Sequence, residues 1–314
     1  MKIIENKVIR CPCPKKSNLT EVKNVFLCSA SECLHSSPHR AFQKVVGVPV
    51  LISSATCDTV CDPENIASYV KRSQGWVSFL KERVFGGNKI TSNNCDRFIA
   101  QIKSKSTSPR VLVVGSGSKG DGTEKLWTNS AIMLYGVDVY VSPSVSIVCD
   151  AHYLPFADQE FDGVWIQAVL EHVVEPQKVV GELFRVLKEG GVLYAETPFI
   201  QQVHEGAYDF TRFTVVGHRF LFRRFRSIDF GPLNGAEVGL LWSIKYFLIA
   251  IFRNITLSKI ITRLLEIPLI PFRWLTSDES RFDSCSGSFF LGIKESNYQM
   301  SHKQLIGLYR GMCK

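Results

Sequence analysis

The stretch VLVVGSGSKGDG, residues 111–122, places Gly115, Gly117 and Gly120 at a G-x-G-x-x-G spacing directly after an apolar run. Glycines there let backbone approach a ligand closely, and they serve equally in a plain turn that needs positive φ. A Walker loop is excluded, because Asp121 and Gly122 follow Gly120 where Lys and Ser or Thr are required. A dinucleotide or another adenosine ligand stays open. Two acids end the next apolar segments. Asp138, in YGVDVYVSP, can accept both hydroxyls of a ribose, as in NAD or S-adenosylmethionine. Asp150 and Ala151, in CDAHYLPF, offer a carboxylate and a backbone amide that suit the exocyclic amine and ring nitrogen of adenine.

Two further sets carry chemistry of other kinds. Cys11, Cys13, Cys28 and Cys33 supply four thiolates, enough to hold a structural zinc between two short knuckles. Their C-x-C and C-x4-C spacings depart from paired C-x2-C. His35 and His39 read as spare ligands or surface residues, and Cys57 and Cys61 as incidental thiols. Downstream, TPFIQQVHEGAYDFTRFT offers His204, Glu205, Tyr208, Asp209 and Arg212. A hydroxyl is a poor nucleophile at neutral pH, so a His or carboxylate base within hydrogen-bond reach would assist its reaction. The plainer reading is an Asp209–Arg212 pair one helical turn apart, with His204 in a loop.

The elements that must position these residues follow from the apolar patterning. Residues 1–55 are short-stranded and cysteine-rich, residues 56–108 read as a helical linker region, and residues 109–314 alternate strand and helix patterns. Strands are predicted at RVLVVG, AIMLYGVDV, VSIVCD, FDGVWIQAV and GVLYAETPF, with RSIDFG and GSFFLGIKES closing the chain. EPQKVVGELFRVLKEGG predicts a helix stopped by its glycine pair. Residues 238–275 predict a helical insertion broken at Pro268 and Pro271. The fold class expected is α/β, a doubly wound, Rossmann-like seven-stranded sheet with a small N-terminal ribbon domain.

Composition narrows the classes. With 45% hydrophobic residues and a net charge of +8, the chain can fold, and it favours anionic neighbours such as nucleic acid, phosphorylated substrates or a membrane surface. The N-terminus lacks a signal-peptide apolar region, so the ten cysteines are expected as reduced or metal-bound thiols in a cytoplasmic protein.

The ordered set of glycine loop, strand-end acid, D-A-x-x-L-P-F, F-D-x-V, L-E-H and R-V-L-K-x-G-G resembles class I S-adenosylmethionine-dependent methyltransferases, most closely their type-11 branch. Val114 stands where the family often has an acid. The resemblance implies that Gly115, Gly117, Asp138, Asp150, Ala151 and Gln167 line a site for S-adenosyl-L-methionine. It also implies that the loop after the fifth strand faces the methyl group, which makes His204, Asp209 and Arg212 the catalytic candidates. That loop resembles members associated with surface-polysaccharide and glycolipid pathways. The cysteine segment with VVGVPVLI resembles the zinc ribbon of the tRNA-methyltransferase activator family.

The leading expectation is O-methylation of a small-molecule, glycan or lipid-linked acceptor. An RNA methyltransferase is the first alternative, because HRFLFRRFRS interleaves arginines with aromatics. A non-catalytic binding or scaffold protein is the second. The apolar 238–275 segment caps the acceptor pocket or buries a homodimer face. Alternatively, with Arg219, Arg223, Arg224 and Arg226, it attaches peripherally to an anionic membrane.

Overall fold

The structure is a computed structural model that describes residues 8–54, 57–61, 89–269 and 276–313. Most of the expected helical linker and the stretch around Pro271 lie outside the described residues. The chain divides into two compact units. One comprises Met1–Gln167, Glu175–Tyr194 and Ile293–Ser296, the other Ala168–Val174, Ala195–Gly292 and Asn297–Lys314.

Two small hairpins come first, β1 (Leu19–Val22) with β2 (Val25–Cys28), and β3 (Lys44–Val45) with β4 (Val48–Pro49). The remaining strands are β5 (Arg110–Val114), β6 (Met133–Asp138), β7 (Ile147–Val148), β8 (Phe161–Gln167), β9 (Leu187–Pro198), β10 (Phe225–Leu233) and β11 (Gly287–Lys294). They form a seven-stranded sheet in the order β10-β11-β9-β8-β5-β6-β7. The expected α/β doubly wound sheet is present. The order turns at β5, which pairs in parallel with β6 on one side and β8 on the other. Ligands of such sheets bind beyond the strand carboxyl ends at this reversal.

Local chemistry explains why these segments adopt their elements. The helix Lys89–Lys103 buries Thr91, Asn94, Cys95, Phe98 and Ile102, a stripe at helical spacing. Phe98 meets Trp165 edge-on, and Trp165 stacks on Tyr194 with centroids 4.0 Å apart. A Cβ at Gly163 would stand 2.7 Å from the Phe98 ring, so this position lets the helix approach the sheet. Several signature residues prove to be braces. Asp162 accepts from the Arg110 backbone N–H (2.8 Å) and from Lys188 Nζ (2.8 Å). Arg185 donates to the carbonyls of Leu154 (3.0 Å) and Phe156 (2.7 Å) and to Glu182.

Three expectations change. The helix expected to run to the glycine pair spans Pro176–Val186, and Leu187 already belongs to β9. Buried Lys294 explains the early stop, since its ammonium takes the carbonyls of Phe184 and Leu187 at 2.7 Å each. The apolar insertion breaks earlier than Pro268. Its helices are Ala236–Phe252 and Ile255–Leu269, separated where Arg253 adopts φ +50° and donates its N–H to the Ile249 carbonyl. Pro268 lies inside the second helix, one residue before its last described residue. Finally, Arg219 is fully buried, donating to the Phe222 (2.7 Å) and Phe225 (3.1 Å) carbonyls over the Phe290 ring. It cannot face a membrane or a nucleic acid.

Candidate functional site

In the first unit, the ribbon packs against the edge of the sheet. Val50 bridges Val148 of β7, Val50 and Ile52 share a cluster with Val145 and Val148, and Lys16 pairs with Glu182 at 3.0 Å. The β1–β2 turn folds the two cysteine pairs together. Among the described residues, the sulfurs of Cys11, Cys13, Cys28 and Cys33 lie within 4.8 Å of one another, Cys11 and Cys33 at 3.9 Å. Thiolates about 2.3 Å from a tetrahedral zinc stand at comparable separations, so the four fit a structural zinc despite their irregular spacing. His35 is not a ligand. It is buried, stacked on Phe42, with Nδ1 2.6 Å from the Arg40 carbonyl and Nε2 2.6 Å from Ser53 Oγ. Metal analysis of protein purified without chelators should return at least about one zinc per chain. Exchanging Cys28 and Cys33 for serine should remove it, and a content under a tenth of an equivalent would mean a metal-free ribbon.

The cofactor candidates gather at the carboxyl ends of β5 to β8. Gly115 has φ +78°, a conformation that glycine adopts without strain. The Gly117 N–H donates to Asp138 Oδ2 (2.7 Å), and the Val139 N–H donates to Oδ1 (2.7 Å). The strand-end carboxylate is thus fixed against the loop. A Cβ at Gly117 would collide with the Tyr140 hydroxyl, so a larger residue here requires that side chain to move. Gln167 closes the other side. Its Oε1 accepts from Trp165 Nε1 (3.3 Å), its Nε2 donates to the Asp121 carbonyl (3.3 Å), and its side chain lies over Gly120. These residues fit an adenosyl ligand through a fixed acid beside a glycine turn, with the Tyr140 and Gln167 side chains covering Gly117 and Gly120.

Asp150 and Ala151 stand at the next strand end, and there the partners were not legible beforehand. Asp150 Oδ1 accepts from the His152 N–H (2.8 Å) and faces its Nδ1 (2.6 Å), while Oδ2 accepts from the Thr59 hydroxyl. Burial pushes this carboxyl up, but the bonds from His152 and Thr59 outweigh it and hold it below the usual range. Ala151 is buried in the short turn that Asp150 caps. A cavity of about 210 Å³ beside Trp127, Ile132 and Leu134 opens at the other end of β6 and contains no ionisable group.

In the second unit, His204, Asp209 and Arg212 come together. Arg212 grips Asp209 with both terminal nitrogens, the Nη2–Oδ2 bond measuring 2.6 Å. Asp209 Oδ2 also accepts the His204 N–H (2.9 Å) and lies 3.2 Å from His204 Nδ1. The Arg212 guanidinium holds the Asp209 carboxyl down to about 2. Burial, then the neighbouring His172, hold His204 below the ordinary histidine value. These residues form the pair expected by spacing, but without a helix, since only Gly206–Tyr208 makes a single turn.

Two residues of the L-E-H signature join this cluster without having been given a role. His172 Nε2 stands 3.0 Å from His204 Nε2, and its Nδ1 stands 2.8 Å from the Tyr208 carbonyl. The Glu171 side chain is 1% exposed, and neither of its oxygens finds a hydrogen-bond partner among the described residues. Burial pushes its carboxyl up to about 8, with Asp209 and Glu196 adding and Arg212 opposing. The folded protein therefore holds this proton more tightly than the unfolded chain. That stability is complete below the ordinary glutamate value of 4.5 and lost as pH rises through about 8. In chelated protein, Glu171→Gln should raise the unfolding temperature above pH 8 and flatten its pH dependence. Equal melting curves at pH 9 would mean that Glu171 ionises without cost.

Part of the chain is similar to known proteins. Residues 112–195 match the family model described as a methyltransferase domain. The demethylmenaquinone methyltransferase of Paenarthrobacter aurescens is 46% identical over 88 residues, 26% of this chain and 35% of that one. That of Clavibacter sepedonicus is 48% identical over 63 residues, 19% and 25% of the two chains. The chain thus spans about a third or less of these relatives' own length. A putative sarcosine dimethylglycine methyltransferase from Galdieria sulphuraria aligns with TM-score 0.44 and 15% identity over 66% of this chain and 86% of that one. With the matched segment running through the glycine loop, the strand-end acids and the L-E-H signature, the chain carries a methyltransferase domain of the class I, S-adenosylmethionine-dependent kind.

Proposed function

We propose that the protein transfers a methyl group from S-adenosylmethionine to a hydroxyl of a small-molecule, glycan or lipid-linked acceptor. The observation that carries this reading is the Asp138 carboxylate fixed on the Gly117 amide, with Gln167 packed over Gly120 beside it. Asp138 would hold the ribose hydroxyls, Asp150 and Ala151 the adenine, and Gly115, Gly117 and Gln167 would line the site. S-adenosylmethionine supplies an electrophilic methyl on a sulfonium. His204 takes the acceptor's proton, Asp209 orients the imidazole through Nδ1, and Arg212 fixes Asp209. The partial relatives inform the donor half and leave the acceptor to be found. Incubation with radiolabelled S-adenosylmethionine and cell fractions tests the reading. Label in the lipid or glycan fraction supports it, label in RNA favours the alternative, and no label anywhere favours a scaffold.

One observation weighs against RNA. Phe222 and Phe225 are fully buried with Arg219, so much of the HRFLFRRFRS segment is core and unavailable as a stacking platform. Another favours a lipid-linked acceptor. The helices Ala236–Phe252 and Ile255–Leu269 leave Phe247 65%, Leu264 64% and Ile267 57% exposed, together with Ile251 and Ile260. Among the described residues, no helix is long and apolar enough to cross a membrane. Contact with a bilayer surface through this face would bring the enzyme to such an acceptor. Phe247→Asp with Leu264→Asp should then reduce co-sedimentation with phosphatidylglycerol vesicles. Unchanged sedimentation, with a change from dimer to monomer, would instead identify a face between two copies.

A further inference from the structure

We infer that Glu171, His172 and His204 form a binding site for a divalent first-row transition-metal ion. The two Nε2 atoms face each other at 3.0 Å, and Glu171 Oε1 is 3.6 Å from His172 Nε2. All three ligand atoms lie within 4.8 Å of one another. Ligands about 2.0–2.1 Å from an ion stand roughly 2.8–3.4 Å apart at octahedral to tetrahedral angles. The nitrogens already match that spacing, and the carboxylate oxygen stands within 4.8 Å of both.

The outer nitrogens support the same assignment. His172 Nδ1 faces the Tyr208 carbonyl, which can only accept, so Nδ1 carries the proton and Nε2 presents a lone pair. With an ion on Nε2, His204 Nδ1 would carry the proton and turn it to Asp209 Oδ2, 3.2 Å away, in place of its 3.5 Å contact with Arg212 Nη2. A carbonyl behind one ring and a carboxylate behind the other is the usual second layer around metal-bound histidine. Arg212, gripping Asp209 from behind, fixes that layer.

The buried carboxylate is the independent sign. A carboxyl shut away from water with neither oxygen paired to a neighbouring residue is costly, and among the described residues only its own backbone N–H approaches it. An ion supplies that missing partner and displaces the proton. Three protein ligands leave coordination positions open to an oxygen-bearing ligand. The loop geometry fits this use, because the Phe210 N–H donates to the Glu171 carbonyl (2.8 Å) and Tyr246 holds the Val203 carbonyl (2.9 Å). The first bond ties the loop to the turn, and the second ties the loop to the helix Ala236–Phe252.

Binding of the ion stands independently of the acceptor chemistry proposed above; only its use rests on that reading. With an ion bound, His204 Nε2 would be a ligand, and coordination would acidify the acceptor hydroxyl so that its proton passes to solvent instead of to the free imidazole.

Mn²⁺ is the probe, since it prefers nitrogen and oxygen donors and leaves the thiolate cluster aside. Titration into the full chain, followed by loss of the free-ion paramagnetic resonance signal, should show about one saturable site per chain. Glu171→Gln and His172→Ala should each weaken it at least about tenfold, whereas Cys28→Ser should leave it unchanged. Glu171→Gln is isosteric and uncharged, so it carries the test even if His172→Ala fails to fold. No saturable binding, or equal affinity in Glu171→Gln, overturns the site. Calorimetry with S-adenosylmethionine on the same samples separates the two readings. Intact cofactor binding without Mn²⁺ binding removes only the ion, and Mn²⁺ binding without cofactor binding removes the methyltransferase reading.

Discussion

His204→Ala should lower methyl transfer by roughly 10²–10⁴-fold, the range expected for loss of a positioned acid–base group. S-adenosylmethionine affinity should stay near wild type, because no cofactor contact is assigned to His204. The pH profile adds a second readout. Burial and the neighbouring His172 hold the imidazole below its ordinary value, and a base works in its neutral form. The acidic limb of the rate should therefore fall below pH 6.5 and disappear in the variant. An ion on His204 would change the form of this result without changing its direction, since alanine removes the ligand as well as the base. Added Mn²⁺ separates the cases: it should speed the metal-depleted wild type if the ion acidifies the acceptor, and leave it unaffected if the free imidazole does the work. Turnover at the wild-type rate in His204→Ala would mean that proximity and orientation alone drive the reaction.

Asp138→Ala should weaken S-adenosylmethionine binding by about 1.5–3 kcal/mol, the usual range for hydrogen bonds to a charged group. The substitution removes the acceptor proposed for the ribose hydroxyls, and it also frees the amides of Gly117 and Val139. Asp138→Asn keeps an oxygen for one amide and should lose less. Calorimetry on the folded variants decides it. Unchanged affinity in Asp138→Ala would remove Asp138 from the site.

Much of the donor half was legible in the sequence because each feature is local. A strand buried on both faces must be continuously apolar, and Val111 to Val114 are. A turn with φ +78° favours glycine, and Gly115 supplies it. An acid that ends a strand stays at the mouth of the sheet wherever the rest of the chain goes, so Asp138 could be placed by counting. The same locality explains one miss. The helix Pro176–Val186 ends before its glycine pair because Lys294, more than a hundred residues later, takes its last carbonyls.

What only the tertiary structure decided are the contacts between residues far apart in sequence whose types fit several roles. Four cysteines at irregular spacing form one cluster because a hairpin returns the second pair to the first. Thr59 covers Asp150, and Arg219, basic and expected at a surface, closes a core of phenylalanines. Most consequential is Glu171. In the sequence it is one letter of an L-E-H signature beside a histidine. In the fold it is a carboxyl sealed from water against two imidazoles, one of them contributed by a loop more than thirty residues away. Type and spacing fix which groups a short segment presents; burial and the partners that reach it across the chain fix whether such a group braces, binds or reacts, because they set its solvation and its proton.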